Sequence, residues 1–174
     1  MYTSIVISGP IASGTSTTAK ALAEKLHLEY HSAGKIFRKY MLEHNLPLHD
    51  KASFPDQLDK GLDEKTINLV KNGGVVVDAH YAGYFTREMA DALKVLLTCD
   101  YQERIKRALS RVHTHTETEE DIKKREEGLD AKFRKLYADE NFLDPKFFDL
   151  TINTTQTPSE EVVESISQKF YKNN

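Results

Sequence analysis

The stretch Ser8-Gly9-Pro10-Ile11-Ala12-Ser13-Gly14-Thr15-Ser16-Thr17-Thr18-Ala19-Lys20 decides how the rest of the chain is read. It nearly matches the phosphate-binding pattern G-x-x-x-x-G-K-[ST], with Gly9 and Gly14 at the required spacing and Ser16 as the hydroxyl. The slot for lysine holds Thr15. Glycines at both ends let the backbone curl until its N–H groups point at phosphate oxygens. A following helix adds the positive field of its N-terminus. Neither effect requires lysine, and Ser16 or Thr17 can place a hydroxyl on Mg²⁺. If nothing replaced the lysine charge, the loss would be about 3 kcal/mol, comparable to deleting one preorganised transition-state donor. That slows an enzyme roughly a hundredfold without abolishing binding. Lys20, five residues along a helix from the slot and so about 7.5 Å further on, is predicted to face elsewhere. Rescue is expected from a distant part of the chain.

The flanks supply the context such a loop needs. Ser4 to Ser8 (SIVIS) reads as a buried strand, and Ala19, Leu22, Ala23 and Leu26 form one apolar stripe of a helix. Further strands are read at Val75 to Asp78 and Leu93 to Thr98, with weaker ones at Phe148 to Asn153 and Leu28 to His31. Between them lie helical stripes: Leu58, Leu62, Leu69 and Val70; Ile105, Ala108, Leu109 and Val112; Ile122, Leu129, Phe133 and Leu136. Thr157 to Glu160 (TPSE) has the form of a capping box opening a last helix. Near-continuous apolar strands alternating with helices predict a parallel sheet covered on both faces.

Bulk properties narrow the class. The 174 residues suit one domain, and a net charge of −3 with interspersed signs gives no reason to expect nucleic acid or membrane partners. The lone Cys99 excludes an intramolecular disulfide framework. No apolar run approaches a membrane span, so the expectation is a soluble cytoplasmic protein. His113 to Glu120 (HTHTETEE) is the candidate mobile segment, with His113 and His115 read as a polar tip rather than a metal site.

Charge patterning adds a second arm. Arg104, Arg107 and Arg111 fall at i, i+3 and i+7, and Arg125 and Lys132 are again seven apart. They read either as solvated helix faces or as a lid that closes cations over a triphosphate. Asp78, at the end of its strand, can hold Mg²⁺ through water beside Ser16.

Taken together these pieces resemble the nucleoside monophosphate kinases, most closely the short archaeal-type cytidylate kinases. The resemblance runs over nearly the whole chain. It rests on Gly9-Pro10, Ser13-Gly14, Ser32-Ala33-Gly34-Lys35-Ile36-Phe37-Arg38, Asp59 with Leu62-Asp63, Val75 to Asp78 followed by Ala82-Gly83, Arg125-Glu126-Glu127 with Tyr137, and Ile152-Asn153-Thr154-Thr155. It implies a P-loop NTPase fold with a five-stranded parallel sheet. The core would be 1–34, 72–112 and 138–174, with an acceptor-binding helical insertion at about 35–71 and a lid at about 113–137. The implied reaction is ATP- and Mg²⁺-dependent phosphorylation of a nucleoside monophosphate, CMP or dCMP favoured, by a monomer.

In that frame Gly9 to Thr17 cradle the donor phosphates, Ser16 and Asp78 place Mg²⁺, and Asn153 and Thr155 lie on the adenine side. Ser32, Gly34, Arg38, Asp59, Asp63, His80 and Gly83 belong to the acceptor, with Arg38 on its phosphate. Arg125, Arg107, Arg111 and Lys132 neutralise charge on the transferred group. The family's E-G-R is Asp78-Ala79-His80 here, and its paired arginines after L-D are Glu64 and Lys65. Both departures lower positive charge on the acceptor side. His80 reads either as an acceptor contact or as a packed strand-end residue. Two other functions stay open: a kinase for another small phosphate or hydroxyl acceptor, and a nucleotide-binding module without catalysis.

Overall fold

A computed structural model describes residues 1–110 and 116–172. Arg111, Val112, His113 and His115, all singled out from the sequence, lie outside the described residues. Five parallel strands run in the order β2-β3-β1-β4-β5: β1 (Ser4–Ser8), β2 (Glu29–Ser32), β3 (Val75–Asp78), β4 (Ala92–Thr98) and β5 (Leu150–Asn153). All of β1 and β3 is buried, and all of β4 but Thr98, as the near-continuous apolar runs require of strands covered on both faces. The edge strand β5 alternates between half-buried and exposed positions. Strand β1 has β3 on one side and β4 on the other, so the strand order reverses there. The crevice beyond the strand ends at such a reversal is where open α/β sheets bind ligands.

Helices α1 (Thr15–Leu26) and α7 (Ser159–Lys172) cover one face through Ala19, Leu22, Val162 and Ile166 against Ile5, Ile7 and Val95. On the other face α3 (Asp56–Asn72) brings Val70 against Val6, Val75 and Val77. Helix α2 (Ala33–Glu43) packs Phe37 and Met41 on Leu48 and Phe54, which builds the insertion as a small cluster of its own. Helix α4 (Ala82–Phe85), α5 (Tyr101–Leu109) and α6 (Glu119–Leu136) meet around an aromatic cluster of Tyr81, Tyr84, Phe133, Phe142 and Phe147. Phe133 and Ile122 are fully buried, each contributing about 1.5–3 kcal/mol, so the helical part of the expected lid is anchored to the body. Thr118 and Asp121 close a capping box at the start of α6.

Two stripe residues are misplaced by the sequence reading. Leu109 is 52% exposed, because α5 ends at that residue. Leu58 is 48% exposed, because the buried face of α3 runs through Asp59, Leu62, Asp63, Thr66 and Val70, and so opens on a carboxylate. The Thr157 hydroxyl donates to the Asn153 carbonyl at 2.7 Å, which fastens the start of α7 to the end of β5. Among the described residues, no helix is long and apolar enough to cross a membrane.

Candidate active site

The loop between β1 and α1 curls as its glycines dictate. Gly14 has φ 98° and Ala12 φ 65°, so two left-handed residues turn the chain within three positions. A Cβ at Gly9 would sit 2.5 Å from the Leu97 carbonyl oxygen and 2.5 Å from Ser13 Oγ, so only glycine fits. Ser13 Oγ is buried inside the loop without a hydrogen-bond partner. Such an orphan invites a ligand oxygen. On the outer side Thr154 Oγ1 donates to the Ser13 carbonyl at 2.8 Å, and the Arg107 guanidinium donates to the carbonyls of Thr154 at 2.8 Å and Thr155 at 3.3 Å. Asn153 Oδ1 accepts from the Thr155 N–H, which shapes the same turn.

At the start of α1 the Ser16 hydroxyl donates to Asp78 Oδ2 at 2.5 Å. The same oxygen accepts from Ser32 Oγ at 3.2 Å and Tyr30 OH at 3.3 Å. One carboxylate at the end of β3 thus joins the donor loop to the cap of α2, where Ser32 also accepts from the Lys35 N–H. Burial raises the Tyr30 phenol above its ordinary value, so it stays a donor.

Ser16 and Thr17 open onto a cleft of about 550 Å³ whose walls carry Lys20, Lys35, Arg38 and Arg125. The cleft next to the loop thus carries four basic side chains and one acid, Glu117. Gly34 leaves room for Arg38: a Cβ there would approach Arg38 Nη1 to 3.1 Å. Arg125 is buried and meets Glu117 at 3.2 Å. A second, smaller cavity adjoins it, lined by Phe37, Leu62, Tyr81 and Leu129 with Lys51, Asp59, Asp63, His80 and Arg125.

A family profile described as an AAA domain matches residues 5–128. A cytidylate kinase of Ignicoccus hospitalis is 38% identical over 170 residues, which covers 95% of this chain and 98% of that one. One of Sulfolobus acidocaldarius is 35% identical over 167 residues, covering 93% and 91%. The chain belongs to the cytidylate kinase family. The fold has a wider circle of neighbours. A shikimate kinase from Acinetobacter baumannii in complex with shikimate superposes with a TM-score of 0.65 at 16% identity, covering 100% of this chain and 96% of that one. A deoxyadenosine kinase from M. mycoides gives 0.61 at 13%, covering 97% and 99%.

As a member of the cytidylate kinase family, the chain holds several expected residues away from the positions first assigned to them. Lys132 is not a lid cation. Its buried ammonium donates to the Phe54 carbonyl at 2.6 Å and meets Asp56 at 2.6 Å, tying α6 to the insertion. Asp56 also takes Lys135, and these two lysines hold its carboxyl down to about 2. Arg107 lies across the loop from Arg125, beside Gly14 and Thr154, on the side expected for the donor base. Gly83 is a packing position. Its N–H donates to Ser8 Oγ at 3.2 Å, and a Cβ would run into the Phe148 ring at 2.2 Å. Lys20 does reach the cleft: counted from Ser16 it is one helical turn along the same face.

His80 resolves toward a neutral role. Burial, with Arg125 nearby, pushes its imidazole down to about 4, and Nδ1 lies 3.0 Å from the Gly9 carbonyl. A carbonyl only accepts, so Nδ1 carries the proton and holds the first glycine of the loop. His80 therefore supplies no replacement charge at neutral pH.

Three residues to which the sequence reading gave no role of their own complete the site. Arg104 is buried beneath the loop, where it donates to the Ile11 carbonyl at 3.1 Å and pairs with Glu126 at 2.6 Å. Glu126 in turn accepts from the Ile11 N–H at 3.1 Å, so both backbone polar groups of one loop residue are tied to α5 and α6. Lys51 is buried between the rings of Phe37 and Phe54, 4.7 Å from each, and pairs with Asp59 at 2.8 Å. Burial lowers its ammonium below the ordinary lysine value. A helical spacing alone cannot reveal such pairs, which form between different elements of the fold.

Proposed function

We propose that the protein transfers the γ-phosphoryl group of ATP to CMP or dCMP. The observation that carries this reading is the continuity of the site: a cleft with four cations and a smaller cavity for a planar group share Arg125, and the cleft begins at Ser16 of the phosphate loop, which Asp78 holds. Backbone N–H groups at the turn into α1, from Gly14 to Thr17, together with the orphan Ser13 hydroxyl, receive the donor phosphates, while the Ile11 N–H stays with Glu126. Arg107, Asn153 and Thr155 form the wall for the donor base. Arg38 and Lys35 hold the acceptor phosphate, and Arg125 with Lys20 offsets the charge that Thr15 leaves uncompensated.

The donor set suits Mg²⁺: a serine hydroxyl and one carboxylate, both hard oxygens, with substrate phosphates to complete the shell. Ser16 and Asp78 would hold it, and when bound it supplies Lewis-acid neutralisation of phosphate charge. An acceptor phosphate oxygen attacks the γ-phosphorus in line as the bond to the β–γ bridging oxygen breaks, and ADP leaves with that electron pair. No general base is needed, because the acceptor oxygen is already anionic. Positioning and electrostatics carry the rate.

The test is coupled ADP release over CMP, dCMP, UMP, AMP and dTMP, on the wild type and on Arg38→Ala. Turnover of a cytidine monophosphate, crippled in Arg38→Ala with ATP binding mostly retained, is the expected outcome. Tight ATP binding with no ADP formed from any acceptor would instead favour a non-catalytic nucleotide-binding module.

A further inference from the structure

Every second carbonyl of the phosphate loop is held by a side chain. The Gly9 carbonyl accepts from His80 Nδ1 at 3.0 Å, the Ile11 carbonyl from Arg104 Nη1 at 3.1 Å and the Ser13 carbonyl from Thr154 Oγ1 at 2.8 Å. The three donors come from separate parts of the fold: His80 follows β3, Arg104 stands on α5 and Thr154 follows β5. Thr154 Oγ1 also faces the Thr98 carbonyl, at 3.1 Å. That oxygen already accepts the Thr154 N–H at 2.8 Å, so the shorter contact, to Ser13, takes the hydroxyl proton.

Holding alternate carbonyls fixes the peptide planes between them. The peptides that follow Ile11 and Ser13 are trans, so the N–H groups of Ala12 and Gly14 point opposite the held oxygens. Among the described residues neither N–H has an acceptor. Both residues are left-handed, at φ 65° and 98°, a backbone form that gathers successive N–H groups into an anion-binding hollow. Thr15 brings no ammonium to grip the loop from the ligand side, so its shape depends on what holds it from behind.

We propose that His80 and Thr154, together with Arg104, are positioning residues that set the loop before ATP arrives, aiming the Ala12 and Gly14 N–H groups at the donor phosphates. This rests on the reading of the loop as the donor-phosphate site. A loop ordered in advance spares binding the cost of ordering it, and its donors need no reorganisation during transfer. His80, which the family motif would assign to the acceptor, thus serves the donor through Nδ1.

The experiment uses His80→Asn, whose amide N–H₂ stands where Nδ1 stood, and His80→Gln, whose amide reaches instead to the place of Nε2. Thr154→Val removes the hydroxyl at constant shape, and Thr154→Ser keeps it. Calorimetric titration with inorganic tripolyphosphate, without added metal, reads the loop apart from any chemistry. Steady-state kinetics read the KM for ATP and the KM for CMP. Thr154→Val and His80→Gln are each expected to weaken tripolyphosphate binding, and raise the KM for ATP, about three- to tenfold, the worth of one hydrogen bond. The KM for CMP should stay near wild type, and Thr154→Ser and His80→Asn should restore phosphate binding. Unchanged tripolyphosphate affinity in Thr154→Val or in His80→Gln overturns the proposal. So does a rise in the KM for CMP that matches the rise for ATP. A wild type that takes up no tripolyphosphate fails at the earlier step and overturns the phosphate-loop reading itself.

Discussion

Replacing Glu126 by alanine removes both halves of the brace on the phosphate loop. The Arg104 guanidinium would be left 9% exposed with its carboxylate gone, and the Ile11 N–H would lose its acceptor. Breaking a buried ion pair from one side costs about 3–5 kcal/mol. Glu126 is 27% exposed, so water reaches its side of the pair and the low end, about 3 kcal/mol, applies. For a chain of this size each kcal/mol moves Tm by about 2–4 °C, giving a fall of roughly 6–12 °C. The released loop peptide should also raise the KM for ATP about tenfold, equivalent to one good hydrogen bond. Glu126→Gln separates the two effects: it keeps an oxygen for the Ile11 N–H but no charge for Arg104, so Tm falls while the KM for ATP stays near wild type. Thermal melts without nucleotide and steady-state kinetics with varied ATP read both. A Glu126→Ala protein melting within about 2 °C of wild type would refute this account of the loop.

Two further outcomes are expected. Burial pushes the Asp63 carboxyl up to about 7 against its Tyr137 hydrogen bond, with Asp59 adding to the rise. The folded protein then binds a proton that the unfolded chain has already lost between about pH 4 and 7, so stability falls as pH rises through that window, by at most about 4 kcal/mol. Urea titrations at pH 5 and pH 8 should show about 3 kcal/mol of that difference, the part of the window lying between them, and Asp63→Asn should shrink it; an unchanged slope in the variant would count against the assignment. Gly9→Ala places a methyl 2.5 Å from the Leu97 carbonyl, a backbone atom that cannot step aside. The loop must shift instead, and kcat/KM for ATP should fall at least about tenfold in steady-state assays.

The parts of the molecule set by local pattern were legible in advance. Strands β1 and β3 begin and end where their apolar runs do, and β4 is one residue longer than its run. The loop was readable through Thr15 because the curl depends on Gly9 and Gly14, and the backbone does the turning. Asp78 and Ser16 meet as the sequence suggested, since Asp78 ends β3 and Ser16 lies at the start of α1. The charged residues were harder. Arg104 and Lys132 share the spacing of solvated or lid-facing stripes, yet both are buried by partners contributed from distant segments, Ile11 and Glu126 in one case and Phe54 and Asp56 in the other. Gly83 carries a family motif but answers to the ring of Phe148, 65 positions later, which no local reading anticipates. Lys20 was misjudged by counting from the lysine slot instead of from the hydroxyl whose face it shares.

Helix α6 joins two parts of the site: Glu126 holds the phosphate loop through the Ile11 N–H, and Lys132 holds the segment before α3 through the Phe54 carbonyl. A strut pinned to both transmits a displacement of either one to the other.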